Sequence, residues 1–454
     1  MNYFKDATGR SGPAAWQVGD YPDGEDDYPV SGISWHEAAA YAEYAGKNLP
    51  TANHWGSAAG HYIRLYSTRA GSNLIPLSNF KGNGPEPIGS SQAINYFGVY
   101  DISGNVREWC WNKTQDGRII RGGAWNDVSY MSADLSQLPA FDRSLKNGFR
   151  CVLYLDRDQI PEQAFQPIKF NVQRNFYNEE PVTEAEFQII KNQFLYDKAE
   201  LNEEIQERDE NSEDWIVEKI SFNAAYENER MIAYLFLPRN STPPFQTIIF
   251  FPGAGAQRKT DLFEDRDTKW YRDYLLKSGR AVLFPVYKGT FERIEGQGIA
   301  WGQTHQFTEY VVKWVKDFSR SIDYLEIRED IDLDNLGYLG DSWGGFMGGI
   351  IPAVDERLKL AILIRGGFYK WRAYPEAEGI TYISRVKIPV LMLNGKYDLV
   401  FPVETNVKPM FDLLGTPDEH KVLKIYETDH FVPKNEMIKE TLNWLDKYFG
   451  PVNR

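Results

Sequence analysis

The sequence predicts a C-terminal α/β domain built on a mostly parallel sheet, preceded by a separate domain of short helices and many turns. From Trp215 onward, runs of apolar β-formers alternate with helical stretches, the pattern of strands whose crossovers are helices. Residues 1–155 are instead rich in Gly, Trp, Tyr and Asn. Between them, residues 156–214 form a helical and acidic linker ending in Glu203, Glu204, Glu207, Asp209, Glu210, Glu213 and Asp214. A charge run of this kind is a solvated face or a connection, and it marks a domain boundary before residues 215–454. At 454 residues the chain is too long for one ordinary domain.

Composition narrows the function. A formal net charge of −14 argues against nucleic acid and against an anionic membrane surface, since either partner needs clustered Lys and Arg. Cys110 and Cys151 are the only cysteines, too few for a disulfide framework. One bridge or two unpaired buried thiols are the alternatives, and the second suits a reducing compartment. No run approaches the roughly 18–20 apolar residues of a membrane span, and the first residues lack the charged-then-apolar layout of a secretory signal. The expectation is a cytoplasmic protein.

In the N-terminal region, Ser34 to Gly46 reads as a compact helix with Ser34 as N-cap and Gly46 as its stop. Tyr28-Pro29-Val30-Ser31-Gly32-Ile33-Ser34-Trp35 leads into it, and Ala45-Gly46-Lys47-Asn48-Leu49-Pro50-Thr51 leads out. Three further motifs follow: Gly98 to Trp109 (containing Gly-Asn-Val-Arg-Glu-Trp), Arg121-Gly122-Gly123-Ala124-Trp125-Asn126-Asp127, and Asn147-Gly148-Phe149-Arg150-Cys151. Together, over about residues 15–153, these resemble the formylglycine-generating enzyme (sulfatase-modifying factor) family. The resemblance implies an α+β, C-type-lectin-like domain.

Two departures from the family pattern bear on activity. Catalytic members hold copper on a cysteine pair between the Arg-Gly-Gly and Gly-Phe-Arg-Cys motifs, and here no cysteine lies between Gly123 and Gly148. Copper(I) requires soft thiolates, so copper is not expected and the domain is expected to bind or scaffold rather than oxidise. The resemblance also implies Asn105 and Glu108 as residues that help hold a structural calcium. The family's opening strands are missing before Met1, which predicts either the C-terminal part of a longer protein or a late start codon, and an upstream domain or protein partner for this half.

In the C-terminal region the predicted strands are Trp215–Phe222, Met231–Leu237, Thr247–Phe251, Ala281–Phe284, Leu336–Leu339, Leu358–Ile364, Val390–Leu393 and Val422–Tyr426. The last helix carries Ile438, Leu442, Leu445 and Phe449 on one face. Gly340-Asp341-Ser342-Trp343-Gly344 joins a strand to a helix. Gly-x-Ser-x-Gly suits a sharp turn that exposes a serine hydroxyl, but the pentapeptide alone is a weak signal.

Its context strengthens it. A serine needs a base, and the base needs an acid to fix its tautomer; after such a turn the order is serine, acid, histidine. His430 lies in the loop between the strand Val422–Tyr426 and the last helix, whereas His305 precedes Ser342 and His420 sits before a strand. Asp398 directly follows the strand Val390–Leu393, with Asn394 and Gly395 as turn residues; Asp429, adjacent to His430, is badly placed to reach its ring. For the oxyanion, one donor is the N–H of Trp343, and the second is Ala254 or Gly255 in the loop Phe251-Pro252-Gly253-Ala254-Gly255-Ala256.

With these pieces in order, residues 215–449 resemble the α/β-hydrolase superfamily, in its dienelactone hydrolase, acetyl xylan esterase and prolyl oligopeptidase-like group. The resemblance implies hydrolysis of a small-molecule ester, less often an amide, without a cofactor. Tyr287, Phe291 and Trp371 are candidate substrate contacts by position after strands. The rival reading is a non-catalytic interaction module of a larger signalling protein, which would not require three polar residues in this order.

Overall fold

A computed structural model describes residues 3–61, 71–169, 174–263, 265–296 and 298–452. The chain forms two compact units, Met1–Gln173 with Lys396–Pro402 and Glu427–Phe431, and Arg174–Gly395 with Val403–Tyr426 and Val432–Arg454.

The first unit is held by its motif residues. Its small sheet has the order β3-β2-β1-β4, where β1 is Arg107–Lys113, β2 Arg118–Arg121, β3 Ser136–Leu138 and β4 Asn147–Gly148. The helix Trp35–Tyr44 starts in a capping box: Ser34 accepts from the Glu37 N–H while the Glu37 carboxylate accepts from the Ser34 N–H, so two otherwise orphaned donors are satisfied. Trp35, Ala38 and Ala42 of that helix pack with Trp109 and Ile120 of the sheet. The three later motifs then lock to one another. Arg107 donates two hydrogen bonds to Asp127, at 2.6 and 2.7 Å. Glu108, 4% exposed, accepts from Arg150 through both oxygens and from Trp55 Nε1 at 2.6 Å. Gly104 needs its glycine, because φ is +79° and a Cβ would press on the Asn79 backbone.

This arrangement does not fit a calcium ion at Asn105 and Glu108. Both Glu108 oxygens face a guanidinium, and Asn105 Oδ1 accepts from the Glu86 N–H at 2.8 Å and from Asn79 Nδ2 at 3.3 Å. The two cysteines do not suit copper(I) either. Both cysteines are free, and burial pushes the Cys110 thiol up to about 12, far from the thiolate that copper(I) binds. Cys151 is only half-buried, not buried as expected.

The second unit carries a nine-stranded sheet, in the order β13-β12-β11-β10-β8-β9-β7-β6-β5. The strands are β5 Glu204–Asp209, β6 Trp215–Asn223, β7 Arg230–Pro238, β8 Phe245–Phe251, β9 Ala281–Val286, β10 Ile331–Asp341, β11 Leu360–Ile364, β12 Val390–Gly395 and β13 Lys421–Tyr426. Pairing is parallel from β9 through β8, β10, β11 and β12 to β13, and antiparallel among β9, β7, β6 and β5. The continuous apolar runs of the central strands follow from burial on both faces. Along β10, Leu339 packs in a cluster with Leu275 of the helix Arg266–Lys277 and Leu445 of the helix Lys434–Phe449. Its neighbour Tyr338 points the other way, its ring 5.5 Å from Phe318 of the helix His305–Glu326.

The expected linker 156–214 is less of a connection than its charge suggests. Its acidic end supplies β5, an edge strand paired with β6, and all of it but Asp209 is exposed. A charged, exposed edge discourages pairing with another chain, which explains acids at strand positions. The segment before it also packs: Arg174 bridges Glu179 and Glu378, and Phe187 and Phe194 lie against Tyr382. Among the described residues, no helix is long and apolar enough to cross a membrane.

Candidate active site

β10 ends at Asp341, and the helix Trp343–Met347 begins two residues later, with Ser342 between them at φ +53°, ψ −100°. A non-glycine residue held there is strained by on the order of 1–3 kcal/mol, so the surroundings must enforce it. Three contacts do so. Ser342 N–H donates to Ile364 O at 2.8 Å, Gly344 N–H to Pro252 O at 3.1 Å, and Tyr338 Oη to Gly344 O at 2.6 Å. The glycines are required by close approach: a Cβ on Gly340 would overlap the Gly344 carbonyl, and one on Gly344 would overlap that of Phe251.

The residue before the serine anchors the turn. Asp341, 1% exposed, accepts from Arg365 Nε at 2.6 Å and Nη2 at 2.7 Å, and from Tyr271 Oη at 2.8 Å. Arg365 is itself at φ +47°. Sequence reasoning missed this pair; its one signal is an acid inside the Gly-Asp-Ser-Trp-Gly motif, with no partner readable from spacing.

Trp343 opens its helix, so its N–H has no acceptor within the helix. Its indole is fully buried, with ring centroids 4.7 Å from Phe251 and 4.5 Å from Trp314. The loop after β8 runs beside the serine: a Cβ on Gly253 would lie 3.6 Å from Ser342 Cβ. Ala254 and Gly255 follow on a short 3-10 turn, and a Cβ on Gly255 would meet nothing within 4 Å.

Asp398 and His430 form a hydrogen-bonded pair, Nδ1 to Oδ2 at 2.7 Å, with both residues buried. The other carboxylate oxygen of Asp398 accepts from the N–H groups of Val400 at 2.7 Å and Phe401 at 3.1 Å. The carboxylate is therefore fixed in orientation before the imidazole meets it. Asn394 and Gly395 still belong to β12, so the turn begins at Lys396, later than expected. Asp429 turns to Phe431 N–H and Ser72 Oγ. Because β10, β12 and β13 run parallel, Ser342, Asp398 and His430 all leave the sheet at its carboxyl edge.

Two expected substrate contacts belong to the core. Tyr287 is fully buried, its hydroxyl bonded to Phe250 O and its ring stacked on Phe251, and Phe291 is 1% exposed within the main apolar cluster. Loop position alone could not distinguish packing from lining. Trp371 is half-buried, stacks on Tyr369 at 4.6 Å, and meets Trp301, which in turn contacts Trp343.

Residues 5–155 match the sulfatase-modifying factor enzyme 1-like domain model, and residues 302–454 match the PET hydrolase-like model. The inactive C-alpha-formylglycine-generating enzyme 2 of Bos taurus is 30% identical over 126 residues, 24% of this chain and 42% of that protein. The chain thus spans less than half the length of that relative. YtaP of Bacillus subtilis, which carries a hydrolase name, is 26% identical over 284 residues, covering 53% of this chain and 91% of YtaP. Among solved structures, acetyl xylan esterase from Paenibacillus sp. R4 is similar with a TM-score of 0.48 at 16% identity, covering 60% of this chain and 97% of that one. The chain joins an N-terminal formylglycine-generating-enzyme-like domain to a C-terminal hydrolase-like domain of the α/β-hydrolase fold.

Proposed function

We propose that the C-terminal domain is a serine hydrolase that cleaves a small-molecule ester, less often an amide, through an acyl-enzyme on Ser342. The observation that carries this reading is the serine held at positive φ on a strand-to-helix turn, with a buried Asp398–His430 pair following later strands of the same sheet. His430 takes the Ser342 proton as the hydroxyl attacks the acyl carbon, then returns it to the leaving group. Asp398 holds the imidazole so that Nε2 is the basic nitrogen. Trp343 N–H and the backbone of Ala254 or Gly255 receive the oxyanion. These steps call for no cofactor and for neither nucleic acid nor membrane. The N-terminal domain, lacking copper ligands, serves in binding or scaffolding.

Labelling by a fluorophosphonate probe, mapped by peptide mass spectrometry, tests the reading. Ser342 should be labelled in the wild type, and labelling should be lost in Ser342→Ala and His430→Ala. Folded wild type unlabelled at Ser342 would favour the interaction module instead.

A further inference from the structure

The loops that carry Asp398 and His430, Lys396–Pro402 and Glu427–Phe431, group with Met1–Gln173 rather than with the sheet that emits them. The contacts responsible fall on the chain neighbours of the two residues. Tyr397 precedes Asp398, and its carbonyl lies so close to Gly71 that a Cβ there would overlap it. Leu399 follows Asp398 and is 9% exposed in an apolar cluster with Leu74 and Ala93, against which Tyr130 and Ala133 pack. Asp429 precedes His430 and accepts a hydrogen bond from Ser72 Oγ. Tyr397 N–H donates to Thr428 O at 2.9 Å, so the two loops are also tied to each other.

We infer that Gly71, Ser72, Leu74 and Ala93 are positioning residues for the acid and base of the hydrolase, so that turnover depends on the N-terminal domain. The inference rests on the proposed serine mechanism. Short loops have little support of their own, and a displacement of about 1 Å in a catalytic group costs on the order of 100-fold in rate. Gly71, Ser72, Leu74 and Ala93, in the same compact unit as the two loops, supply that support.

The test uses the full chain and measures the fluorophosphonate labelling rate at Ser342, with kcat and KM on an acyl ester that the wild type turns over. Ser72→Ala should slow labelling and kcat about fivefold, and Leu399→Ala about tenfold or more, with KM within about twofold. Leu399→Met, which keeps the apolar volume, should stay near wild type. Both alanine variants labelling at the wild-type rate would overturn the inference while leaving the serine mechanism standing. Leu399→Met as slow as Leu399→Ala would overturn it too, because volume would then not be what positions the loop. A wild type that takes no label removes the mechanism itself, and this inference with it.

Discussion

Both domains are marked by short motifs in which glycine sits beside charged or polar residues, yet the motifs are put to different uses. In the N-terminal domain the charged motif side chains pair with one another: Arg107 with Asp127, and Glu108 with Arg150 and Trp55. In the hydrolase domain the glycines of the Gly-Asp-Ser-Trp-Gly motif bring backbones together so that one residue, Ser342, is held in a strained conformation. Charged motif side chains that pair with one another hold a fold together. A turn that strains the backbone at a single hydroxyl is the observation on which the proposed reaction site rests.

The sharpest way to break this contrast is Asp398→Asn. The substitution keeps the side-chain shape and its acceptor for the Val400 and Phe401 N–H groups, but removes the charge facing His430. On the proposed mechanism kcat falls on the order of 10⁴-fold while the fold is unchanged. Circular dichroism with steady-state kinetics reads both. A loss of less than tenfold would make Asp398 a structural residue, like its counterparts in the N-terminal domain.

The converse test falls on Arg150. Replacing it with alanine leaves Glu108 buried with only Trp55 Nε1 as a donor, which should destabilise the N-terminal domain by about 3 kcal/mol. Urea unfolding followed by the buried tryptophans measures it. Acid should act on the same domain through Asp127. Burial works to raise its pKa, but the hydrogen bonds and charge of Arg107 outweigh burial and hold the carboxyl below its ordinary range. A depressed native pKa contributes stability that is complete above the unfolded value of about 3.9 and is lost as pH falls through the native one. The domain should therefore weaken progressively below about pH 4, and Asp127→Asn should flatten that dependence.

The contrast also sorts what the sequence made legible. Every predicted strand of the C-terminal region is present: the central parallel strands are continuous apolar runs because both their faces are buried, and the antiparallel β6 and β7 are rich in the same β-forming residues. Ser342, Asp398 and His430, the candidate triad, could be placed after successive strands because those strands follow one another in chain order along the parallel sheet. Residues whose role is set by cross-strand packing, with no motif or chain order to mark the partner, were not legible. Asp341 with Arg365, and Tyr287 in the core, are both settled by packing across strands. β5 was hidden because an exposed edge strand has no buried face to impose alternation, so its acids resemble a linker.

The finest test isolates the strain itself. Ser342→Gly and Ser342→Ala both remove the hydroxyl, and both should abolish turnover. They differ in that alanine keeps the Cβ that makes φ +53° unfavourable, whereas glycine does not. Glycine also loosens the unfolded chain, which offsets about 1 kcal/mol of the 1–3 kcal/mol relieved. The glycine variant should thus be more stable than the alanine variant by about 1 kcal/mol, measured by denaturant unfolding of the C-terminal domain. Equal stability would mean that the turn stores no strain at Ser342.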